Sequence, residues 1–531
     1  CGGGGPQPCG TTSGAALRLD AQGSAETVRR MVTVLSDLGV GRGSRIALVA
    51  GNSPWHFLLH AACAWLHAVT VPLSPARPVA DLVALVEGCD TDLVLSRGVQ
   101  WPSGSEQVTG SHPTAGTEPS WTRRPPLVLS LESLAPLIAA ATPIVGEPPP
   151  CGEELATLVH TSGTSGTPKA VELTHANLWW GSLCFREGFE YSPATDVVGV
   201  CAPLSLIGGF NGTALDMFCH GGTVVVMRHP FDPVHVLEEI ERHRVTTMFV
   251  VPTMCRALLR AQARRPCDLS SWRLPLVGGD CLDEPLARDL RAQGLRPVHV
   301  WGMTETSGAG TFLHPDPPDV PASSIGVPFA HVQVRLVDEG GAVVEAPGRT
   351  GEVEVRGPGV TRGYLHRPLE TAAACDGEWL RTGDLAHRDT HGHLHLLGRR
   401  SRMITTGGEN VSPVRVEQAL LTVPGVTQAL VVGLPDEYWG QRVGALVSAD
   451  PAARMTPDAL RAHLARTLAP WELPRTVEWV EELPVTVTGK PDPEAARAVL
   501  GGHGPRSPTG LTPCCVATLT GVATGVGAVP H

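Results

Sequence analysis

The apolar residues near the start of the chain follow first a helical spacing and then a strand spacing. Between positions 25 and 38 they recur every three or four residues, which predicts a helix with one buried face. That face consists of Val28, Met31, Val32, Val34 and Leu35. Short apolar runs bounded by turn residues come next and predict buried strands, at 45–50, 69–73 and 92–96. Helices are predicted between these strands, from about residue 54 and over 80–88.

The alternation of strand and helix continues after a segment rich in Ser, Gly, Pro and Thr at 98–125, which we predict to be a surface loop. Further strands are predicted at 156–160, 197–201, 223–227, 247–251 and 275–277. Strands that alternate with helices form mainly parallel sheets covered on both faces. From about residue 324 the pattern changes to short alternating strands with turns, at 332–337, 351–356 and 393–397.

Residues 413–498 have the pattern of a compact α+β unit. Its predicted helices lie near 414–422 and 456–468, and its strands at 426–433, 443–448 and 476–480. The chain is therefore predicted to be an α/β protein with a large multi-sheet N-terminal domain and a small mobile α+β C-terminal domain. We place the domains at 24–398 and 399–500, and expect flexible ends at 1–23 and 501–531.

Composition narrows the function classes. The formal net charge of −11 argues against nucleic acid as a partner, because phosphate neutralisation needs a basic surface. No apolar run reaches the roughly 18 residues of a membrane span, and no basic-then-apolar leader is visible. The 14 cysteines lack metal-ligand spacing, so free thiols in a reducing compartment are expected. We expect a cytoplasmic protein.

The first segment with chemical character is the loop 161–169, which directly follows the predicted strand 156–160. Its glycines expose backbone N–H groups, five hydroxyls can donate hydrogen bonds, and Lys169 offsets negative charge, a combination that suits a polyphosphate. It is not a Walker A loop, because Pro168 precedes the lysine and a helix begins only at Thr174, whose side chain can cap it. The alternative is a flexible surface loop.

Lysine is rare in this chain, where Lys169 and Lys490 are the only two among 41 basic residues. A planar guanidinium cannot replace a compact ammonium in a tight site. Both lysines follow glycine-bearing segments, so we predict that both serve a function that arginine cannot. The alternative is compositional drift.

Two carboxylates are further candidates. Glu305 follows a strand over 298–301 and could hold Mg²⁺, which takes few protein ligands, although a solvated loop acid is the competing interpretation. Asp384 follows Thr382 and Gly383 at a turn and could accept from vicinal hydroxyls, as acidic residues do for riboses. An Asx-turn acid is the alternative there.

Taken together, these segments resemble the adenylate-forming superfamily, which contains acyl-CoA synthetases, adenylation domains of peptide synthetases and luciferases. The resemblance covers roughly residues 25–495, and the motifs occur in the family's order and spacing. It implies an AMP-forming acid–thiol ligase that uses ATP, Mg²⁺ and coenzyme A. Such an enzyme converts a carboxylic acid to an acyl-adenylate and then to an acyl-CoA thioester.

The resemblance also implies roles for individual residues. The ATP phosphates would contact Thr161, Ser162, Gly163, Thr164, Ser165, Gly166, Thr167 and Lys169. The adenosine and its α-phosphate would contact Gly279, Asp280, Trp301, Gly302, Thr304, Asp384 and Arg399. Glu305 would hold Mg²⁺, and Lys490 would bridge the carboxylate and the α-phosphate. The thiol acceptor's tunnel would be lined by Gly407, Gly408 and Glu409 after the small domain rotates.

The acid pocket is implied to include Ile207, Gly208, Phe210, Asn211 and Val251. Amino-acid-activating relatives carry an Asp near the position of Asn211, so an α-amino acid is disfavoured. A fatty or other hydrophobic acid is predicted, and an aryl acid loaded onto a carrier protein is the alternative. We expect free coenzyme A as acceptor, because no carrier domain is visible after residue 500.

Among the positions that depart from the family pattern, two bear on activity. Ser401 stands where the hinge residue is normally Asp or Lys, and Leu206 stands where acyl-CoA synthetases often have His. These changes keep open a third interpretation, a degenerate relative that binds nucleotide without turnover.

Overall fold

The computed structural model describes residues 18–102, 125–149, 151–161, 168–228, 230–314, 320–486 and 490–501. Most of the predicted surface loop, most of both predicted flexible ends, and the phosphate-loop residues 162–167 lie outside these ranges.

The first sheet has six strands in the order β4-β3-β1-β2-β5-β6. Its strands are β1 Arg45–Val49, β2 Val69–Leu73, β3 Leu93–Ser96, β4 Leu127–Ser130, β5 Leu155–Thr161 and β6 Lys169–Thr174. Its neighbouring strands pair in parallel except for β5 and β6, which form an antiparallel pair. The helices of this part are α1 Ala21–Asp37, α2 Trp55–Trp65, α3 Val79–Gly88, α4 Leu131–Ala140 and α5 His175–Phe189.

The second sheet has seven strands in the order β13-β12-β11-β10-β9-β7-β8. They are β7 Val197–Val200, β8 Thr223–Val226, β9 Thr247–Val250, β10 Leu274–Gly278, β11 Val298–Trp301, β12 Thr311–Leu313 and β13 Val327–Pro328. The first five pair in parallel, and β12 and β13 are antiparallel additions at one edge. Its helices are α6 Ile207–Phe210, α7 Thr213–Cys219, α8 Pro233–His243, α9 Pro252–Arg264 and α10 Glu284–Ala292.

Two smaller antiparallel-rich sheets complete the chain. The third sheet contains β14 Gln333–Val337, β15 Thr350–Arg356, β16 Cys375–Asp376, β17 Trp379–Arg388 and β18 Leu394–Arg399, with α11 Pro368–Ala374 beside it. The fourth sheet contains β19 Ile404–Thr406, β20 Glu409–Val411, β21 Val426–Asp436, β22 Gly440–Ala449 and β23 Thr476–Val480. Helices α12 Pro413–Leu421, α13 Pro457–Leu464 and α14 Pro493–Leu500 belong to this last unit.

The buried side chains explain why the elements form where they do. On α1 the buried residues are the five of the predicted stripe, and Asp20 starts the helix by accepting from the backbone of Gly23. Thr174 caps α5 together with Asn177 in a capping box, as its position predicts. Each helix in the described part of the chain is too short or too polar to span a lipid bilayer. The predicted α/β class, with a large multi-sheet unit and a smaller C-terminal one, is confirmed.

Some boundaries differ from the prediction. Helix α13 ends at Leu464 and not at 468, and the residues directly after it, 465–467, form turns. Strands β21 and β22 extend further than their apolar cores, since the ladder between them continues to Asp436 and Gly440. Helix α4 and strand β4 were not predicted at all, and α4 contains Pro136 in its interior.

Candidate active site

The two strands that flank the predicted phosphate loop, β5 and β6, pair at one edge of the first sheet. Thr161 ends β5 and Lys169 begins β6, and these two residues pair directly across the antiparallel ladder. The loop residues predicted to contact phosphates between them, 162–167, lie outside the described residues. The pairing brings the two described ends of the loop together, so that Lys169 stands at the base of the loop.

The Lys169 ammonium has two neighbours. It forms an ion pair with Glu370, with 2.7 Å between Nζ and Oε2, and it lies 4.8 Å from the centre of the Tyr364 ring. The hydrogen bond from Lys169 holds the pKa of the Glu370 carboxyl below its usual range. A carboxylate and an aromatic ring therefore hold the lysine ammonium in place.

Glu305 lies in a 3₁₀ turn, Thr304–Thr306, that directly follows β11. Its side chain is buried, with 6% of the residue exposed, and Oε1 accepts a hydrogen bond of 2.9 Å from the Tyr364 hydroxyl. Its backbone carbonyl accepts from Thr361 at 2.7 Å. The described residues form a hydrogen bond to only one of the two carboxylate oxygens, Oε1. A carboxylate is the hard oxygen ligand that Mg²⁺ prefers, and Mg²⁺ takes few protein ligands, so the chemistry of Glu305 fits that cation.

Asp384 is held on both of its oxygens. The Trp301 indole N–H donates to Oδ2 at 3.1 Å, and Arg399 approaches Oδ1 at 2.9 Å. Asp384 and Arg399 are direct partners in the β17–β18 ladder, and Trp301 is the last residue of β11. Burial raises the pKa of Asp384, and the Arg399 charge opposes that shift. The second and third sheets thus meet at this carboxylate.

Lys490 comes from the small C-terminal unit and reaches the large one. A Cβ placed on Gly279 would lie 3.6 Å from its Cε and 3.8 Å from its Nζ. Although Lys490 is exposed as a residue, desolvation at its ammonium lowers its pKa, and the charge of Asp280 opposes that shift. Arg399 and Asp384 also act on the Lys490 pKa, the first lowering and the second raising it. The lysine therefore lies beside the predicted adenosine residues.

The predicted acid-pocket residues cluster at one end of the second sheet, on and after α6. Ile207 and Phe210 are buried in the core between the sheets, and Val251 is buried beyond β9. Phe210 stacks on Phe57 with 5.7 Å between ring centres. Gly208 approaches the half-buried Phe249 ring so closely that a Cβ would lie 2.8 Å from it.

Asn211 is buried and its amide is engaged within the protein. Its Nδ2 donates to the Ser307 and Leu178 carbonyls, at 2.9 and 3.3 Å, and its Oδ1 accepts from the Ser182 hydroxyl at 3.1 Å. Both amide hydrogens are therefore occupied. In this arrangement Asn211 fixes the turn after Glu305 to α5, and its polar atoms are tied to protein groups.

The predicted tunnel residues form the turn between β19 and β20. Gly407 and Gly408 have φ of +59° and +87°, which is the geometry of a two-residue hairpin loop, and both are exposed. Glu409 begins β20 and is exposed too. A Cβ on Gly407 would lie 2.5 Å from the Trp439 ring, so only glycine fits beneath that indole.

Ser401 and Leu206 depart from the family pattern, and each lies in or next to a short helical turn. Ser401 lies exposed within a 3₁₀ turn, Arg400–Arg402, that separates the third sheet from the fourth. Leu206 precedes α6 in an extended conformation. A bond between Thr304 and any ligand, like the other predicted contacts, stays a prediction.

Sequence reasoning missed Tyr364, Glu370 and Phe249. Tyr364 and Glu370 lie in a turn-rich stretch around α11, where no periodicity marks a functional residue. A signal was nevertheless present, because the chain contains only three tyrosines and one of them follows Gly363 in a polar segment.

Comparison with known proteins identifies the class of enzyme. The model of the AMP-binding enzyme family matches residues 22–365, and that of the AMP-binding enzyme C-terminal domain matches 415–490. The chain therefore belongs to the AMP-binding enzyme family.

Relatives with curated functions are CoA ligases. A feruloyl-CoA synthase from an Amycolatopsis species is 35% identical over 87% of this chain and 90% of its own length. An indoleacetate–CoA ligase from Aromatoleum aromaticum is 31% identical over 88% of this chain and 90% of its own. A medium-chain fatty-acid–CoA ligase from Escherichia coli is 31% identical over 85% of this chain and 80% of its own.

Solved structures agree with this assignment. An o-succinylbenzoate CoA synthetase from Bacillus subtilis, solved with ATP and magnesium ion, has a TM-score of 0.76 and 27% identity. The match covers 90% of this chain and 94% of that one. The same enzyme with its acyl-adenylate intermediate matches with the same TM-score of 0.76 over 89% of this chain and 92% of that one. The predictions of an AMP-forming acid–thiol ligase and of ATP, Mg²⁺ and coenzyme A are confirmed at the level of the class.

Proposed function

We propose that this chain is an ATP-dependent carboxylic acid–CoA ligase whose acid is hydrophobic, and that the predicted site residues perform the roles given above. The observation that carries the proposal is the position of Lys490. This lysine belongs to the small unit, yet its ammonium lies beside Gly279 and within electrostatic reach of Asp280 and Asp384. A cation there would meet the reacting phosphate of an ATP whose ribose contacts Asp384.

The first half-reaction joins two anions. An oxygen of the acid attacks the α-phosphorus of ATP, an acyl–phosphate bond forms, and the bond to pyrophosphate breaks. Lys490 would hold the carboxylate against the α-phosphate, and Thr304 would bind an oxygen of that phosphate. Such a step depends on positioning and on charge neutralisation, both of which a fixed ammonium supplies.

The pyrophosphate side of the reaction falls to Lys169 and Glu305. Mg²⁺ bound at Glu305 would offset charge on the phosphates. Lys169 would contact the β- and γ-phosphates from the base of the loop, where its pairing across the β5–β6 ladder holds it. Tyr364 contacts both residues, Glu305 with its hydroxyl and the Lys169 ammonium with its ring, and this supports a common role for the two.

The second half-reaction transfers the acyl group to sulfur. The thiolate of coenzyme A attacks the acyl carbon, a carbon–sulfur bond forms, and AMP leaves. For this step the small domain would rotate about the turn containing Ser401, withdraw Lys490 and present the Gly407–Gly408 hairpin to the acyl-adenylate. The exposed position of that hairpin supports this role.

Within hydrophobic acids, we propose a flat aromatic acid as the substrate class rather than a long fatty chain. The Phe249 ring packs against Gly208 and Gly278. A Cβ placed on these glycines would lie 2.8 and 3.0 Å from the ring, so a larger residue at either position would collide with it. Two of the relatives named above act on feruloyl and indoleacetate substrates, by their names. Asn211 carries no charge, which argues against α-amino acids.

Pyrophosphate release over a panel of acids tests the proposal. The panel should contain hydroxycinnamates, indole and phenyl acetates, C6–C16 fatty acids and the 20 common amino acids, each with ATP and Mg²⁺. We expect the highest kcat/KM with an aromatic acid, and acyl-CoA formation when coenzyme A is added. Signal from amino acids alone would contradict the assignment of Asn211.

The acceptor is tested in the same assay. A phosphopantetheinylated carrier protein in place of coenzyme A should give slower thioester formation from the same adenylate. A faster reaction with the carrier would reverse the choice of acceptor. Absence of acyl-hydroxamate with every acid, in the presence of hydroxylamine, would favour a nucleotide-binding protein without turnover.

A further inference from the structure

Tyr364 lies between the two residues that the proposed function assigns to the pyrophosphate side. Its hydroxyl donates to Oε1 of Glu305 at 2.9 Å, and its ring lies 4.8 Å from the Lys169 ammonium. It is one of only three tyrosines in the chain, with Tyr191 and Tyr438.

The backbone around Tyr364 is fixed on both sides. Tyr364 bridges to Val171 of β6, and the next residue, Leu365, donates to the Ala170 carbonyl at 2.9 Å. A few residues earlier the chain is bonded to the backbone of Glu305 through Thr361, at 2.7 Å. The tyrosine is therefore anchored both to the strand that begins with Lys169 and to the turn that contains Glu305.

The chemistry of the two contacts is different. The Tyr364 hydroxyl donates a hydrogen bond to the Glu305 carboxylate. The ring face attracts the Lys169 ammonium through a cation–π contact, while Glu370 pairs with that ammonium at 2.7 Å. One side chain thus fixes a carboxylate with its hydroxyl and an ammonium with its ring.

We propose that Tyr364 is a positioning residue that sets the relative placement of Lys169 and Glu305 for metal-bound ATP. Its hydroxyl occupies Oε1 and leaves Oε2 of Glu305 for the cation, and its ring keeps the lysine at the base of the phosphate loop. This inference rests on the proposed function, because it assumes that Glu305 holds Mg²⁺.

Tyr364→Phe separates the two contacts, since it removes the hydroxyl and keeps the ring. Mn²⁺ is the probe, and its binding is followed by electron paramagnetic resonance in the presence of an ATP analogue with a methylene group between the α- and β-phosphorus. We expect the half-saturating Mn²⁺ concentration to rise roughly tenfold, as for loss of a hydrogen bond to a charged group. Excess Mg²⁺ should restore pyrophosphate release, which a general loss of structure would not allow.

Tyr364→Leu removes the ring as well. At saturating Mn²⁺ this variant should bind the analogue roughly fivefold more weakly than Tyr364→Phe does, because the ammonium loses its aromatic partner. Tyr191→Phe is the matched control, since Tyr191 is also buried and donates to Asp216 at 2.9 Å. It should lower the melting temperature without changing Mn²⁺ affinity.

The outcomes are distinguishable. Wild-type Mn²⁺ affinity in a folded Tyr364→Phe protein, or equal nucleotide affinity for the Phe and Leu variants, would overturn this inference and leave the proposed function standing. A wild-type protein that binds no metal–nucleotide complex would overturn both.

A measurement on the wild-type protein covers the case in which Tyr364→Phe does not fold. Labelling with 3-fluorotyrosine gives three ¹⁹F signals, assigned with Tyr191→Phe and Tyr438→Phe. The remaining signal should shift when Mg²⁺ is added to the nucleotide complex, while the signal of the 82% exposed Tyr438 stays in place. An unmoved Tyr364 signal would overturn the inference.

Discussion

Replacing Lys490 by arginine tests the central claim about the site. The substitution keeps the positive charge but changes its shape from a compact ammonium to a wide planar fork. The position of the charge changes as well. Nζ of Lys490 lies beside Gly279, 3.8 Å from the place that a Cβ on that residue would take. In arginine the charge is spread over nitrogens that extend beyond the point that Nζ occupies, so it is displaced from that point.

The expected loss follows from what the ammonium does. Removing one preorganised donor from a developing charge costs about 2.7–4 kcal/mol, which corresponds to a hundred- to thousandfold loss in rate. The displaced guanidinium retains part of the long-range charge, so we expect kcat/KM for adenylation to fall roughly hundredfold. ATP affinity should change little, since Asp384 and its partners belong to the large unit.

Three assays separate these effects. Pyrophosphate release measures adenylation, calorimetry measures ATP binding, and thioester formation from supplied acyl-adenylate measures the second half-reaction. Only the first should fall in Lys490→Arg. Lys169→Arg is the matched control, because the loop's other donors share its load, and it should raise the KM for ATP by no more than about tenfold. Adenylation at the wild-type rate by Lys490→Arg would refute the reasoning and favour the alternative that the two lysines remain through compositional drift.

Three further outcomes are expected. Trp301→Phe keeps an aromatic ring but removes the hydrogen-bond donor to Asp384, so the KM for ATP should rise roughly tenfold. The KM for 2′,3′-dideoxy-ATP, which lacks the ribose hydroxyls, should change less. Equal changes for both nucleotides would argue against a ribose contact. Gly302→Ala places a Cβ 2.2 Å from the Gly308 carbonyl oxygen, and the resulting overpacking should cost about 2 kcal/mol and lower the thermal midpoint by several degrees; an unchanged midpoint would contradict it. Desolvation lowers the pKa of Lys490, so its ammonium loses its charge as pH rises through that lowered value. The kcat/KM for adenylation should therefore fall at a pH below about 10.4, the pKa of free lysine. A profile that stays flat to pH 10 would contradict this expectation.

The strands were predictable where burial is complete and turns are sharp. Strand β2 covers the predicted 69–73, because all five of its residues are buried and both its first and its last residue are apolar. Helix α4 was missed, since Pro136 in its interior is the usual signal against a helix. In this case the local rule failed because Leu131, Leu134 and Ile138 are buried in the core.

The site was predictable only as far as motifs extend along the chain. Lys169 and Glu305 could be proposed from their local segments, but their common neighbour Tyr364 lies 59 residues beyond Glu305 and no spacing rule connects them. Asn211 shows the same limit, because its partner Ser307 is 96 residues away. The sequence alone shows that Asn211 is uncharged. Only the fold shows that its amide is already hydrogen-bonded within the protein.

The carboxylate shared by Trp301 and Arg399 has a consequence for the order in which products leave. Trp301 ends a strand of the second sheet, and Arg399 ends a strand of the third, just before the 3₁₀ turn Arg400–Arg402. Every group that holds Asp384 therefore precedes the turn, while Lys490 follows it. A nucleotide bound at Asp384 would therefore stay bound when the small domain rotates and withdraws Lys490. Pyrophosphate should leave first, and AMP should remain until the thioester has formed. Product inhibition by AMP should accordingly be competitive with ATP.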